Sequence, residues 1–317
     1  MHSQICFFET EKPDRKMILR KYPHAQIFAE PFSAKLLPKC KSAEILCGMV
    51  HSDFSRKNLA QLPNLKLVVT RTAGYDHIDL PYLAERKIPA GFVPEYGSYA
   101  IAEHVFALLL TSCRNVLEGE ERTSHDNFSW CGLRGKALNG HTIGVIGTGR
   151  IGAQVCRIAS DGFLMNVLGY DVTQNPELKK LRNFKYTSLA TLLKKSDFIS
   201  LHLPLLPTTK HLINAKTIAQ MKDGVVLINT ARGGLIDTPA LVKAIKRRKF
   251  CRVALDVVEH ENNLREDREL LHLPHVVITP HIAFYTEETN EKMYLEAFRS
   301  IDEFQKGKKI THRISTL

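Results

Sequence analysis

The stretch Thr142-Ile-Gly-Val-Ile-Gly147-Thr-Gly149-Arg-Ile-Gly152 decides the fold. An apolar, β-branched run leads directly into three glycines with the spacing GxGxxG. This order predicts a strand, a tight turn at Gly147, a close approach of the backbone to a ligand at Gly149, and a helix that packs closely on the strand at Gly152. The amide groups at the start of such a helix favour an anion, for which a pyrophosphate is the natural occupant.

The next apolar run ends in an acidic residue with the spacing that a dinucleotide site requires. Residues 166–170 predict a strand, and Asp171 follows it about 20 residues beyond Gly152. A carboxylate there accepts hydrogen bonds from the adenosine ribose hydroxyls and repels a 2′-phosphate, which favours NAD over NADP. The alternative is a glycine-rich turn without a ligand and an aspartate that caps a helix.

Further apolar runs extend the pattern in both directions and predict an α/β fold with two domains. After the glycine motif, strands alternate with helices in a doubly wound order, at residues 142–146, 166–171, 198–203, 225–229, 253–257 and 276–279. Before it, apolar runs at residues 5–8, 26–29, 44–49, 65–70 and 90–93 predict another parallel sheet. A length of 317 residues also favours two domains.

Two helical patterns connect these parts. One is expected to be buried and to run from Tyr99 to about Glu118. Glu103 and His104 lie within it, and we expect them to serve packing rather than chemistry. The other has apolar positions at Met293, Ala297, Ile301 and Phe304 and is expected to return to the first domain.

Composition excludes several classes of protein. The chain is 44% hydrophobic and 24% charged, as is typical of a folded globular protein. No apolar run reaches membrane-spanning length and no secretory signal is evident, so we expect a cytoplasmic protein without a membrane partner. Seven cysteines without a CxxC pair predict neither disulfides nor a metal site. The net charge is +11, and basic clusters stand at residues 179–182, 246–249 and 306–309. Each lies on or beside a predicted helix without interleaved aromatic residues, which favours solvated helix faces over nucleic-acid binding.

Three polar residues follow strands of the second series. Arg232, Glu261 and His281 each come after the carboxyl end of a predicted strand, where open α/β sheets bind ligands. An arginine offers a planar fork for a carboxylate, a histidine exchanges protons, and a neighbouring carboxylate fixes the tautomer of that histidine. Together they predict a hydride-transfer site for a 2-oxo acid. His202 also follows a strand, and we expect it to form a wall of the nicotinamide pocket.

Motifs along the whole chain resemble those of the NAD-dependent D-2-hydroxyacid dehydrogenases. Besides the glycine motif, they are Arg71-Thr-Ala-Gly74-Tyr-Asp76-His-Ile-Asp79, Ala100-Ile-Ala-Glu-His104, Leu133-Arg-Gly-Lys136, His202-Leu-Pro-Leu, Ile228-Asn-Thr-Ala-Arg-Gly-Gly234, Leu255-Asp-Val-Val-Glu-His-Glu261 and Thr279-Pro-His-Ile-Ala-Phe-Tyr-Thr286.

The resemblance implies a role for each matching residue. Arg232 would hold the substrate carboxylate and polarise its C2 oxygen, His281 would be the general acid and base, and Glu261 would be its partner. The backbone at Ala73 and Gly74 would bind the substrate carboxylate. The implied cofactor-binding residues are Gly147, Thr148, Gly149, Arg150, Ile151, Gly152, Asp171, His202, Pro204, Thr230 and Asp256, the last of them near the nicotinamide amide.

The resemblance also implies the architecture and the assembly. A Rossmann domain with a doubly wound parallel sheet, residues 99–286, would be inserted in a flavodoxin-like substrate domain of residues 1–98 and 287–317. Members of the family usually form homodimers, and residues 123–140 lie where they dimerise.

Two aromatic residues resemble those of the D-lactate dehydrogenase branch. Tyr96 and Phe284 would contact the substrate and favour pyruvate, a small 2-oxo acid. The alternatives are a glyoxylate or hydroxypyruvate reductase, another D-2-hydroxyacid dehydrogenase, and an NAD-sensing interaction protein similar to the C-terminal binding corepressors.

Overall fold

The computed structural model describes residues 4–315 of the chain. They form two compact units. One unit comprises the residues up to Tyr96 together with those from Thr286 on, and the other comprises Gly97–Tyr285. The first is called the N-terminal unit below and the second the coenzyme unit.

The N-terminal unit contains a five-stranded parallel sheet in the order β2-β1-β3-β4-β5. This is the order of flavodoxin-like folds, in which the chain reverses its direction of travel between β1 and β3. Its strands are β1 (Ile5–Phe7), β2 (Gln26–Ile27), β3 (Ile45–Gly48), β4 (Leu67–Thr70) and β5 (Ala90–Gly91). Its helices up to Tyr96 are α1 (Lys12–Lys21), α2 (Leu37–Cys40), α3 (Arg56–Leu59) and α4 (Leu80–Glu85).

The coenzyme unit contains a seven-stranded parallel sheet in the order β12-β11-β10-β9-β6-β7-β8. Its strands are β6 (Thr142–Ile146), β7 (Asn166–Tyr170), β8 (Phe184–Tyr186), β9 (Phe198–Leu201), β10 (Val225–Asn229), β11 (Phe250–Leu255) and β12 (Val276–Ile278). Its helices are α5 (Ser98–Cys113), α6 (Val116–Ser124), α7 (Arg150–Arg157), α8 (Leu189–Lys195), α9 (Ala215–Gln220), α10 (Thr238–Lys246) and α11 (Arg268–Leu271). Both sheets are parallel, as expected from the alternation of strands and helices.

Helices cover both faces of the larger sheet, and this explains the composition of its strands. All residues of β9 and β10 are buried, so these strands are nearly continuous apolar runs without alternation. One apolar cluster contains residues of α10, and the cluster on the other face contains residues of α5 and α7. The arrangement leaves the loops at the carboxyl ends of the strands to carry polar side chains.

The sheet of the coenzyme unit has one strand more than the six that the sequence predicts. The additional strand is β8, which has three residues and lies at the edge of the sheet. Its central residue, Lys185, is exposed, while Phe184 and Tyr186 are half-buried. A three-residue run with a lysine at its centre is too short for its hydrophobic pattern to be distinguished from that of a loop.

The single helix predicted from Tyr99 to about Glu118 is wrong at its end. Helix α5 ends at Cys113, and α6 begins at Val116 after a bend of 61°. Asn115, between them, adopts the left-handed conformation with φ 51°, which asparagine tolerates better than most residues. Within residues 4–315, no single helix is long and apolar enough to cross a membrane, and the bent pair α5 and α6 meets that length and composition criterion only when taken together.

The C-terminal helix α12 (Glu287–Gln305) packs on the sheet of the N-terminal unit. Its buried Tyr294 shares an apolar cluster with strand residues such as Phe7 and Val69. The guanidinium of Arg71, at the end of β4, lies 4.4 Å from the centre of the Tyr294 ring and donates to the carbonyl oxygens of Phe8 and Glu9. A fully buried arginine therefore joins the loop after β1, the loop after β4 and the last helix.

Candidate active site

The glycine motif forms the turn between β6 and α7. Gly147 has φ +94°, and a Cβ on Gly152 would lie only 1.9 Å from the carbonyl oxygen of Gly147. Both positions therefore exclude side chains. Helix α7 begins at Arg150 without a side chain that caps its amide groups. The first turn of α7 thus retains the donors that attract an anion.

Asp171 follows β7 and joins the glycine turn to the next loop. Its Oδ2 accepts hydrogen bonds from the backbone N–H of Thr148 at 2.6 Å and from the Thr148 hydroxyl at 3.3 Å. Its Oδ1 accepts from the N–H of Thr173 at 3.1 Å. The next residue, Val172, is uncharged and 93% exposed.

His202 follows β9 and packs against the glycine turn. A Cβ on Gly147 would lie 2.5 Å from the carbonyl oxygen of His202. Desolvation lowers the pKa of His202 to about 3, and its Nε2 lies 2.8 Å from the hydroxyl of Ser200. An imidazole that is neutral at physiological pH fits the role of a wall rather than that of a proton donor. Pro204, two residues further along, is exposed.

The loop after β10 presents Arg232 through an asparagine turn. The buried side chain of Asn229 donates to the carbonyl oxygen of Arg232 and accepts from the N–H of Ala231. A Cβ on Gly233 would lie 1.9 Å from the carbonyl oxygen of Val258, so this loop lies directly against the loop after β11. The absence of a side chain at Gly233 therefore brings the loop of Arg232 to the loop that carries Glu261.

Glu261 and His281 form a hydrogen-bonded pair. Their Oε2 and Nδ1 atoms are 3.0 Å apart, and the two side chains are 25% and 15% exposed. The loop that presents Glu261 is held by Asp267, a buried residue whose carboxylate accepts from the backbone N–H of His260 at 2.8 Å and lies 3.1 Å from its Nδ1. Because Nδ1 of His281 faces the carboxylate, Nε2 is the nitrogen suited to proton exchange with a ligand.

The backbone of His281 adopts an unusual conformation that Asp256 stabilises. Its φ is +55°, in the left-handed region that residues other than glycine seldom occupy. The carbonyl oxygen of Asp256 accepts from the N–H of His281 at 2.8 Å, and its carboxylate accepts from the N–H groups of Ile282 and Ala283, each at 2.9 Å. One buried residue therefore fixes the turn on which the imidazole stands.

Two further side chains surround the carboxylate of Asp256. The hydroxyl of Thr279 donates to its Oδ1 at 2.5 Å, and Nε2 of His104 lies 3.5 Å from the same oxygen. Burial by itself raises the pKa of Asp256, but the hydrogen bonds from His104, Thr279 and the two backbone amides outweigh it, and the net pKa is lowered. The carboxylate is therefore ionised at neutral pH.

In the N-terminal unit, the loop after β4 carries Ala73 and Gly74. The Thr72 hydroxyl donates to the carbonyl oxygen of Gly74 at 2.6 Å and lies 2.5 Å from the hydroxyl of Thr70. The N–H of Ala73 faces the hydroxyl of Tyr96 at 3.4 Å. Ala73 is exposed, and Gly74 is half-buried.

Comparison with known proteins gives a consistent result. Residues 106–283 match the family model described as "D-isomer specific 2-hydroxyacid dehydrogenase, NAD binding domain". The chain belongs to the D-isomer specific 2-hydroxyacid dehydrogenases. It is an NAD-dependent 2-hydroxyacid dehydrogenase, and its two parallel-sheet α/β units correspond to the Rossmann and substrate-binding domains of that family.

Relatives of this 2-hydroxyacid dehydrogenase carry different substrate names. The D-lactate dehydrogenase of Escherichia coli is 33% identical over 96% of this chain and 97% of its own. The glyoxylate reductase of Thermococcus litoralis is 34% identical, with coverage of 92% and 90%. A solved D-lactate dehydrogenase from Aquifex aeolicus, in complex with NAD and lactic acid, is 37% identical, covers 96% of each chain and has a TM-score of 0.89. An aromatic 2-oxoacid reductase from Clostridium sporogenes is also among the relatives.

The coenzyme unit of the dehydrogenase fits a dinucleotide on its own geometry. A Cβ on Gly149 would meet no atom within 4 Å, so the backbone there is open to a pyrophosphate. Arg150 and Ile151 begin helix α7, and Asp171 stands at the end of the neighbouring strand. Within the described part of the chain, the buried hydroxyl oxygen of Thr230 has no hydrogen-bond partner. A buried polar atom without a partner is typical of a site that a ligand completes.

The sequence patterns missed two residues of the site. Thr279 and His104 surround Asp256, although His104 had been expected to serve packing alone. His104 lies on α5 and Thr279 follows β12, 175 residues further along the chain, so no local spacing connects them. The side chain of Asp256 itself has no exposed surface, and its contact with the nicotinamide amide remains a prediction.

The substitution Asp256→Asn tests the support of the His281 turn. An amide would place a donor where the carboxylate accepts from N–H groups, so we expect a loss of about 1–3 kcal/mol in the free energy of unfolding at pH 7. Hydrogen bonds lower the pKa of Asp256 in the folded state. The ionised carboxylate therefore stabilises the fold at pH values above about 3.9, the pKa in the unfolded state, and this stabilisation is lost as the pH falls through the folded-state pKa. Urea titrations should therefore show the difference from wild type narrowing below about pH 4.

Asp197→Asn is the matched control for this prediction. Hydrogen bonds also lower the pKa of Asp197 against the effect of its burial, but its partners are Lys222, His141 and the N–H of Thr142. Asp197→Asn should be less stable than wild type, with the same pH dependence, and should retain wild-type activity. Asp256→Asn should lose stability and activity. A constant difference between Asp256→Asn and wild type from pH 7 to pH 3 would contradict the assignment.

Proposed function

We propose that the chain reduces a small 2-oxo acid with NADH, and that pyruvate and D-lactate are its substrate pair. The observation that carries this proposal is the hydrogen bond between His281 and Glu261, on loops after β12 and β11. When bound, NADH supplies the hydride that reduces the C2 atom of the oxo acid. The remaining steps are the binding of the carboxylate, the polarisation of the carbonyl group and the delivery of one proton.

Arg232 binds the substrate carboxylate in this proposal. Its guanidinium is half-buried at the end of β10, and a planar fork forms two parallel hydrogen bonds with a carboxylate. Its charge also polarises the C2 oxygen, on which negative charge develops as the hydride arrives. The asparagine turn at Asn229 holds the backbone of Arg232, so little ordering of the loop is required on binding.

His281 supplies the proton. In the direction of reduction, Nε2 of the protonated imidazole gives its proton to the C2 oxygen as the hydride reaches C2, and a hydroxyl group results. Glu261 keeps the proton on Nδ1 and stabilises the positive charge that the imidazole carries before the transfer. In oxidation the same groups act in reverse, and His281 accepts the hydroxyl proton.

The N-terminal unit contributes backbone donors. We assign the N–H groups of Ala73 and Gly74 to the substrate carboxylate, because the loop is shaped by the Thr72 hydroxyl and Ala73 is exposed. Tyr96, whose hydroxyl faces the N–H of Ala73, is assigned to the same group of substrate contacts.

Phe284 is the basis for the preference for a small substrate. Its ring centre lies 6.2 Å from that of His281 at an angle of 79°, so an aromatic ring stands beside the proposed proton donor. In this proposal the ring limits the space beyond C3 of the substrate and favours a methyl group over a bulky one. The D configuration of the product is assigned from the family.

The coenzyme contacts follow the sequence motif. We assign the pyrophosphate to the turn and first helical residues from Gly147 to Gly152, the adenosine ribose to Asp171, and the nicotinamide end to His202, Pro204, Thr230 and Asp256. The carboxylate of Asp171 next to a 2′-phosphate would repel it, so NADH is preferred over NADPH.

We also propose a homodimer formed through residues 123–140 together with helix α6, which leads into them. Four apolar side chains are exposed there: Val116 (51%) and Leu117 (51%) on α6, and Phe128 (92%) and Trp130 (82%) in the segment 123–140. Large aromatic residues with this exposure are typical of protein interfaces. A second copy of the chain is the partner that the family implies.

Sedimentation tests the homodimer. The mass in solution should be twice the 35.9 kDa of the chain. Trp130 is the single tryptophan, so dilution into the monomer should move its fluorescence emission to longer wavelength as the indole becomes hydrated. Trp130→Ser should favour the monomer, while Leu295→Ser, which removes a side chain 53% exposed on α12, should not. A monomer at micromolar concentration would contradict the proposal.

Substitutions of the pair test the proton transfer. His281→Ala should reduce kcat/KM for pyruvate by about 10²–10⁴, the usual effect of a positioned acid or base. Glu261→Gln should cost about 10–100-fold, because a hydrogen bond to a charged group is worth about 1.5–3 kcal/mol. NADH binding, followed by fluorescence titration, should stay unchanged in both variants.

His141→Ala is the control for the pair. His141 lies 3.4 Å from Asp197, and it precedes β6, whereas the glycine turn follows that strand. The substitution therefore breaks a histidine–carboxylate pair away from the proposed site. This variant should retain wild-type activity. A His281→Ala enzyme with near wild-type activity would remove His281 from the mechanism.

Substrate profiles test specificity and handedness. NADH oxidation should be most efficient with pyruvate, compared with phenylpyruvate, hydroxypyruvate and glyoxylate, and chiral analysis should identify D-lactate. Phe284→Ala should raise the relative efficiency with phenylpyruvate. L-lactate as product would overturn the handedness, whereas a preference for glyoxylate, hydroxypyruvate or an aromatic acid would overturn only the role of Phe284.

A further inference from the structure

Tyr186, on the edge strand β8, connects two loops of the coenzyme unit through its hydroxyl group. The hydroxyl lies 2.9 Å from the hydroxyl of Thr148, which is part of the glycine turn. It also accepts a hydrogen bond from the N–H of Asn175 at 2.7 Å, in the loop that follows Asp171. The carbonyl oxygen of Asn175 is more distant, at 3.3 Å.

The charge of Asp171 sets the direction of these hydrogen bonds. A carboxylate is a stronger acceptor than a hydroxyl, so Thr148 gives its one proton to Oδ2 of Asp171, at 3.3 Å. The N–H of Asn175 is a donor only, so the Tyr186 hydroxyl accepts there and gives its own proton to the Thr148 oxygen, which at 2.9 Å is nearer than the carbonyl oxygen of Asn175. The result is a relay in which each hydroxyl accepts one hydrogen bond and donates one.

The relay limits the positions that the Asp171 carboxylate can adopt. Oδ2 accepts from the N–H and the hydroxyl of Thr148, and Oδ1 accepts from the N–H of Thr173. A carboxylate has about four acceptor sites. Among the described residues three are used, and the remaining one lies on Oδ1, where a ribose hydroxyl can donate.

We propose that Tyr186 is a positioning residue for the choice of coenzyme: its hydroxyl holds Asp171, through Thr148, in the place where the carboxylate accepts a ribose hydroxyl and repels a 2′-phosphate. This inference rests on the proposed contact between Asp171 and the adenosine ribose. Without the relay, the carboxylate turns away from its loop more easily, so NADH loses an acceptor and NADPH meets less repulsion.

The ring of Tyr186 is held independently of its hydroxyl. The Phe184 ring packs edge-on against it, with centres 4.8 Å apart and an angle of 86°, and Nζ of Lys179 lies 5.9 Å from the ring centre. Tyr186→Phe therefore removes the relay and retains the packing of β8, so that the variant should fold.

The experiment measures kcat and KM for NADH and for NADPH in Tyr186→Phe. The loss of a hydrogen bond typically corresponds to about 2–10-fold in binding, so KM for NADH should rise by that factor while kcat stays within about twofold. The ratio of kcat/KM for NADH to that for NADPH should fall by about threefold or more, since NADPH loses nothing through the same change and gains from weaker repulsion.

Tyr22→Phe is the matched control. The Tyr22 hydroxyl donates to Asp302 at 2.7 Å within the N-terminal unit, so its removal takes away a comparable hydrogen bond without touching the coenzyme loops. It should lower stability and leave the coenzyme ratio unchanged. Thr148→Val removes the middle hydroxyl of the relay, so it should lower the ratio of NADH to NADPH efficiency as Tyr186→Phe does, and the ratio should fall no further when the two substitutions are combined.

The outcomes separate the relay from the proposed function. If Asp171→Ala relaxes the coenzyme preference but Tyr186→Phe leaves the ratio unchanged, or lowers efficiency with both coenzymes equally, the relay is overturned and the role of Asp171 stands. Fully additive effects of Thr148→Val and Tyr186→Phe would also overturn it. If Asp171→Ala itself leaves the preference for NADH intact, the proposed ribose contact fails, and the relay fails with it.

Discussion

The buried carboxylate of Asp256 is the constraint on which the proposed chemistry of the coenzyme unit depends. A charge without exposed surface is costly unless hydrogen bonds compensate it, and here the donors are Thr279, His104 and two backbone N–H groups. Those two amides belong to Ile282 and Ala283, which directly follow His281. The same hydrogen bonds therefore compensate the charge of Asp256 and fix the turn at His281. The left-handed backbone of His281 persists because the surrounding structure overdetermines it, as strained residues at functional sites require.

The parallel sheet explains why the remaining residues of the site come together. Carboxyl ends of neighbouring strands lie at one edge, so the loops after β10, β11 and β12 are adjacent even though they are far apart in sequence. Close backbone contact then sets the finer distances. Gly233 lies against Val258, which brings the loop of Arg232 to the loop of Glu261, and Gly152 lies against Gly147, which closes the coenzyme turn.

The sequence predicted those parts of the fold and site that depend on local patterns. The glycine motif, the acid after β7 and the order of the strands all follow from spacing within short segments, and the family match confirms the fold and the coenzyme. Strand β8, the bend at Asn115 and the partners of Asp256 were missed. A three-residue edge strand has too little periodicity, an asparagine in a left-handed conformation interrupts an otherwise helical pattern, and the contact of His104 with Thr279 depends on folding of the whole unit.

Aspartates in this unit illustrate why residue type alone does not define a role. Asp171, Asp256 and Asp267 each follow or flank a functional loop, and each accepts hydrogen bonds from backbone N–H groups of that loop. Asp171 had been assigned to the coenzyme from its spacing, and Asp256 from the family resemblance. The hydrogen bonds of these aspartates stabilise their own loops. A carboxylate that is fixed in this way is also held in position for a ligand. Acceptor capacity then separates the two proposed coenzyme contacts. Among residues 4–315, Asp171 retains one acceptor site on Oδ1 for the proposed ribose contact, whereas the carboxylate of Asp256 is enclosed and stabilises the turn of His281.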